Sequence, residues 1–134
     1  MKRSIIAVVA GIVVLILSSF AIEAIANPLM KMIGLFPDES PSTAVRLVTM
    51  AYTTVCIAAA GYVTAWIARR APVLHALIMG AVQVGLTVAL IIDQPDFAPP
   101  WAWIITVAVI MPAAWYGGAI RARQARGDLT VAAP

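Results

Sequence analysis

The residue type best placed for chemistry in this 134-residue chain is an acid inside an apolar stretch, Glu23. Ser19, Glu23, Asn27 and Lys31 recur every four positions, which on a helix makes a single face. Arg46 opens the next apolar stretch at the same expected level, and Thr49 and Thr53 follow it at helical spacing. Thr87 and Thr106 fall in the same half of their own stretches. The candidate site is therefore a polar cluster of Glu23, Asn27, Arg46, Thr49, Thr53 and Thr87 in the outer half of a helical bundle. Two chemistries fit it. Paired with Arg46 or Lys31, the Glu23 carboxylate is an ion-pair partner that stays charged. Alone among threonine hydroxyls, it is a carboxylate able to take up a proton or a cationic ligand. The ion pair is the expected arrangement.

Other candidates are weaker. His75 has no second histidine to work with and reads as an interfacial side chain. Gln83 is an amide deep in an apolar run, suited to a hydrogen bond between helices. Cys56 is the single cysteine, so it forms no intrachain disulfide and reads as a small buried hydrophobe. Asp38, Glu39, Asp93 and Asp96 could together face a cation but read as solvated loop acids. A glycine-rich phosphate loop, a nucleophile with a histidine base and a metal-ligand spacing are all missing from the sequence. Neither an enzyme nor a cofactor is expected.

These residues need elements to hold them, and composition says which. Hydrophobic residues make up 63% of the chain and charged residues 11%, and mean hydropathy is +0.97. A soluble domain is about half apolar and about a quarter charged. Four apolar runs stand out: 5–22 (fading by 26), 47–67, 73–92 and 101–120. Each is long enough to cross a hydrocarbon layer of about 30 Å as a helix. None alternates with a period of two, as a barrel strand would. The expected fold is all-α: a four-helix transmembrane bundle, antiparallel and up-down-up-down, with helices over about 4–27, 43–69, 72–92 and 100–121. Residues 1–122 form the transmembrane domain and 123–134 a short cytoplasmic tail that frays. Asn27-Pro28 is expected to weaken or kink the first helix. Pro37 to Pro41 reads as a turn, Ser40 or Ser42 as a cap of the second helix, and Pro72 as the opening of the third.

Lys2, Arg3, Arg69, Arg70, Arg121, Arg123 and Arg126 fall on one side of four crossings, and only Lys31 and Arg46 on the other. This places both termini in the cytoplasm of a bacterial inner membrane. The basic residues flank apolar runs and make no patch, so nucleic acid is not an expected partner. The lipid bilayer is, together with a second copy or another membrane protein. Lys2-Arg3, an apolar stretch and Ala24-Ile-Ala26 resemble a cleavable leader, but the apolar core is longer than such leaders use and Glu23 interrupts the cleavage region; a retained first span is expected. In lipid, small and polar residues turn toward neighbouring helices. The stripes Ala76-Gly80-Gln83-Thr87 and Thr106-Ile110-Ala113-Gly117 are read as packing faces, with Gly80 and Gly85 at close crossings and Pro112 as a kink.

The stretch Gly61-Tyr-Val-Thr-Ala-Trp-Ile-Ala68, followed by Pro72, His75-Ala-Leu77 and Gly80, resembles a pattern in small four-helix integral membrane proteins of bacteria that have no assigned activity. That resemblance implies architecture. The segment Glu23-Ala-Ile-Ala-Asn-Pro-Leu-Met-Lys31 is similar to the first-helix segment of the small multidrug resistance transporters, including a lysine eight residues after the glutamate. That resemblance implies a proton-coupled exporter acting as an oligomer, with Glu23 as the coupling carboxylate and Tyr62 or Trp66 lining the path. Three functions are thus in view. The leading one is a multi-pass inner-membrane protein, structural or accessory to a membrane complex. The others are the exporter and a membrane sensor or regulator.

The expected topology is testable by cysteine labelling in a Cys56→Ala background. A cysteine placed at Gln94 should react with an impermeant reagent in intact cells, and labelling only after the membrane is broken would overturn the orientation.

Overall fold

The computed structural model describes residues 2–34, 42–68 and 71–131. Four helices account for nearly all of them: α1 (Lys2–Met32), α2 (Thr43–Ala68), α3 (Pro72–Asp93) and α4 (Pro100–Val131). A single 3-10 turn, Pro95–Phe97, lies between α3 and α4. There is no strand among the described residues. All four helices are long and apolar enough to cross a membrane, so the chain is an all-α four-helix membrane protein. The expected turn from Pro37 to Pro41, with Asp38 and Glu39, and the Arg69-Arg70 pair lie outside the described residues.

Local chemistry explains most boundaries. The Ser42 hydroxyl accepts the backbone N–H of Val45 at 3.3 Å, capping α2. Pro72 opens α3 where its missing N–H costs nothing, directly after Ala71 at φ 49°. α1 closes at Gly34, whose φ of 72° suits a residue without a Cβ.

Two boundaries differ from expectation. α1 runs through Pro28 to Met32 instead of ending near Asn27. The carbonyl that Pro28 leaves unbonded is that of Ala24, about 28 Å along the helix from Ile5 at 1.5 Å per residue, so it falls at the edge of an apolar layer of about 30 Å and not in its middle. α4 continues to Val131, and the tail is helical where fraying was expected. Its Ala, Arg and Gln residues are good helix formers, and the Tyr62 hydroxyl donates to the Gln124 side-chain oxygen at 2.8 Å.

Consecutive helices run antiparallel. Glu23 meets Tyr52 and Gly11 meets Thr64 across α1 and α2, while Gly80 meets Ala114 and Gly118 meets Ala76 across α3 and α4. The most extensive interface nevertheless joins α2 to α4, which are parallel: Gly61 meets Ala114 and Tyr62 meets Gln124, while Arg46 meets Phe97 in the turn just before α4. The order around the bundle is α1, α2, α4, α3. α1 packs on α2 and more lightly on α3, and among the described residues it has no interface with α4.

The core is built from Leu15, Cys56, Ile57, Ala60, Met79, Ile110, Ala113 and Ala114. Large side chains point outward instead, with Ile25 73% and Ile104 70% exposed. This is the arrangement lipid favours, where burying leucine gains nothing and close backbone approach gains dispersion contacts. A Cβ on Gly117 would collide with the backbone carbonyl of Ala58, and one on Gly80 would sit 2.9 Å from the Ala114 methyl. Gly80 thus occupies the close crossing expected of it. Gly85 does not: nothing lies within 4 Å of a Cβ there, because this part of the α3 surface faces outward, as does Ala81.

Gly117→Ala should destabilise the bundle by about 1–3 kcal/mol through overpacking against α2, whereas Gly85→Ala should cost nothing. Thermal unfolding in detergent measures both, and equal losses would refute the packing described.

Candidate functional site

At the end of the bundle away from the termini, α1 and α4 stand on either side of α2 without touching. The groove between them is a cavity of about 320 Å³. α1 contributes Glu23 and Asn27 to its wall, and α2 contributes Val45, Arg46, Thr49, Met50 and Tyr52. Phe97 and Ala98 close its top, and Ala102, Trp103 and Thr106 of α4 form the opposite wall. Helical spacing explains the α2 lining, since 45, 46, 49 and 52 lie on adjoining turns of one side.

Four of the six residues expected to form a polar cluster, Glu23, Asn27, Arg46 and Thr49, therefore share one cavity. Thr53 lies one turn deeper and lines a second cavity of about 170 Å³ between α2 and α4. Thr87 is elsewhere, buried on α3 with its hydroxyl donating to the Gln83 carbonyl at 3.0 Å. Thr54, Thr64 and Thr106 likewise donate to the carbonyls of Met50, Ala60 and Ala102 at 2.7–2.8 Å. A hydroxyl bonded to its own helix is satisfied without a partner, which suits a threonine to a packed face in lipid.

The charged residues are arranged differently. The expected ion pair between Glu23 and Arg46 is not formed. The Tyr52 hydroxyl donates to the Glu23 carboxylate at 3.4 Å, and the Arg46 guanidinium donates to the Phe97 carbonyl at 3.4 Å. Each is a long bond, and the two groups are held apart by partners on different elements. The 3-10 turn supplies one of them. Its position is fixed by Trp103, whose indole N–H donates to the Pro95 carbonyl at 3.4 Å and whose ring lies 6.2 Å from that of Phe97.

Tyr52, Phe97 and Trp103 were not anticipated as lining residues. Tyr52 could have been found, since it follows Thr49 by three and so shares its side of α2. Phe97 and Trp103 reach the cavity only through the tertiary position of α4. Tyr62 and Trp66, expected on a transport path, lie toward the other end of α2; Tyr62 is bonded to Gln124 and Trp66 is exposed. His75 Nδ1 lies 3.1 Å from the Ala71 carbonyl, a contact within its own helix end. Among the described residues no three His, Cys, Asp or Glu side chains come together as a metal site.

The fold and cleft define a four-helix membrane protein with a charged groove. No family model, no curated protein and no solved structure matches the chain.

Because Glu23 is held by a neutral hydroxyl, Glu23→Gln keeps an acceptor for Tyr52 and strands no paired cation. It should change stability by less than ~1 kcal/mol. A loss of about 3 kcal/mol or more in detergent unfolding would mean that a buried ion pair had been broken.

Proposed function

We propose that the protein resides in the bacterial inner membrane with both termini in the cytoplasm, and that it is a non-enzymatic accessory component of a membrane complex which holds a small ligand in its outer-half groove. The observation that carries this reading is the depth of the groove. It reaches Glu23 and Arg46 but lies above a half of the bundle closed by Cys56, Ala60, Ile110 and Ala114. A volume of about 320 Å³ falls within the range of small-molecule sites. A pocket that ends in the membrane suits holding better than passage.

A second reading, the proton-coupled exporter, is favoured by one specific observation: Glu23 lines an open cavity instead of being locked in a salt bridge. The two readings differ in what Glu23 does. In an exporter its protonation drives flux across the membrane. In a holding protein it contributes affinity alone.

Proteoliposomes separate them. The holding reading expects no substrate flux driven by a proton gradient in the wild type. It also expects thermal stabilisation by bacterial polar lipid extract that is lost in Ala102→Trp, which fills the groove. Gradient-driven flux that Glu23→Gln abolishes in a folded protein would establish the exporter instead.

A further inference from the structure

The groove carries both signs of charge, and neither charge neutralises the other. A carboxylate offers about four acceptor positions and a guanidinium five N–H donors; Glu23 accepts from Tyr52 and Arg46 donates to the Phe97 carbonyl, each at 3.4 Å. A simple cation would answer Glu23 and be repelled by Arg46, and a simple anion would meet the reverse. A ligand with an ammonium and a phosphate answers both. The aromatic rings of Tyr52, Phe97 and Trp103 line the same space and favour a cation lying over them.

The shape points further. Since α1 and α4 have no interface among the described residues, the groove opens sideways toward the bilayer. Its deep end meets the second cavity of about 170 Å³, and the two share Thr49, Met50 and Thr106. Ile57, Ile105 and Val109 line this continuation between α2 and α4, which heads toward the middle of the membrane. A charged upper chamber continued by a narrow apolar one has the outline of a headgroup and the start of a chain.

We infer that the groove binds a zwitterionic phospho-amine amphiphile that enters from the outer leaflet between α1 and α4, its ammonium against Glu23, its phosphate against Arg46 and its alkyl chain along α2 and α4. This rests on the reading of the groove as a ligand site and specifies the ligand class. Glu23 confers the preference for a zwitterion over an anion, and Arg46 contributes to both.

Native mass spectrometry of the purified protein in detergent, titrated with phosphatidylethanolamine, phosphatidylglycerol or water-soluble O-phosphoethanolamine, tests this. Phosphatidylethanolamine should bind at least about tenfold more tightly than phosphatidylglycerol, the scale expected of one charge-assisted hydrogen bond. Glu23→Gln should remove that preference by weakening phosphatidylethanolamine binding and strengthening phosphatidylglycerol binding, and Arg46→Gln should weaken both lipids. Glu23→Asp, which keeps the charge, should retain the preference, so a Glu23→Gln variant that misfolds leaves a second comparison. O-phosphoethanolamine should bind at least tenfold more weakly than the lipid. Equal affinity for the soluble headgroup would overturn the amphiphile, and equal affinity for the two lipids would overturn the zwitterion while leaving the groove a binding site. If all three probes bind wild type and Ala102→Trp alike, the groove itself is not the site.

Discussion

Close backbone contact between α2 and α4 is the constraint on which the rest of this structure depends. In a bilayer, burying apolar side chains against each other gains little over leaving them in lipid, so association relies on van der Waals contact. Gly61 and Gly117 allow that contact at its closest, because the space for a Cβ at either position is already filled by backbone atoms of the opposite helix. Ala60, Ala113 and Ala114 extend the same low surface. Two parallel helices so joined leave α1 and α3 to take outer positions, each antiparallel to the neighbour that precedes or follows it in the chain.

The groove is a consequence of that order. Had α1 packed between α2 and α4, Glu23 would lie in a closed core and would need an ion pair or a proton to be tolerated there. With α1 on the far side of α2, the carboxylate instead borders a cavity near the end of its span, where a charge costs less than at the bilayer centre. The 3-10 turn completes the site from above. Its Phe97 carbonyl engages Arg46, while Trp103 one turn into α4 holds the turn in place. Three separate elements must therefore be assembled before the two charges face one space.

Much of the architecture is legible in the amino-acid pattern because lipid imposes strict rules. Apolar runs of about 20 residues, prolines at their starts and a serine cap at 42 suffice to place the four helices. The small-residue face of α4 and the α3 positions 76, 80 and 87 are equally plain, since they recur at helical spacing. Gly85 shows where such reasoning stops: it is small, but it points outward, and spacing alone does not say which of two adjacent faces a helix buries. The helical tail beyond Ile120 was hidden by its polarity, which marks the end of a membrane span without marking the end of a helix. The order of helices around the bundle has no local signature at all, and with it went Phe97 and Trp103. The part of the cluster formed by Glu23, Asn27, Arg46 and Thr49 was visible because depth along a spanning helix can be counted in residues.

The threonines and the charged residues illustrate two solutions to one problem. A hydroxyl in lipid has only to find a single acceptor, and the carbonyl four residues back is always present; Thr54, Thr64, Thr87 and Thr106 all use it. Their positions are consequently free to follow packing, and Thr64 sits fully buried without any polar neighbour from another helix in its hydrogen bonding. Carboxylates and guanidinium groups have no such recourse, because their charge and number of bonding positions exceed what one carbonyl or hydroxyl offers. They require either each other or a polar space. Glu23 and Arg46 border a common space and bond to separate partners across it, so the charge they bring into the membrane is turned toward the groove and not consumed by the fold.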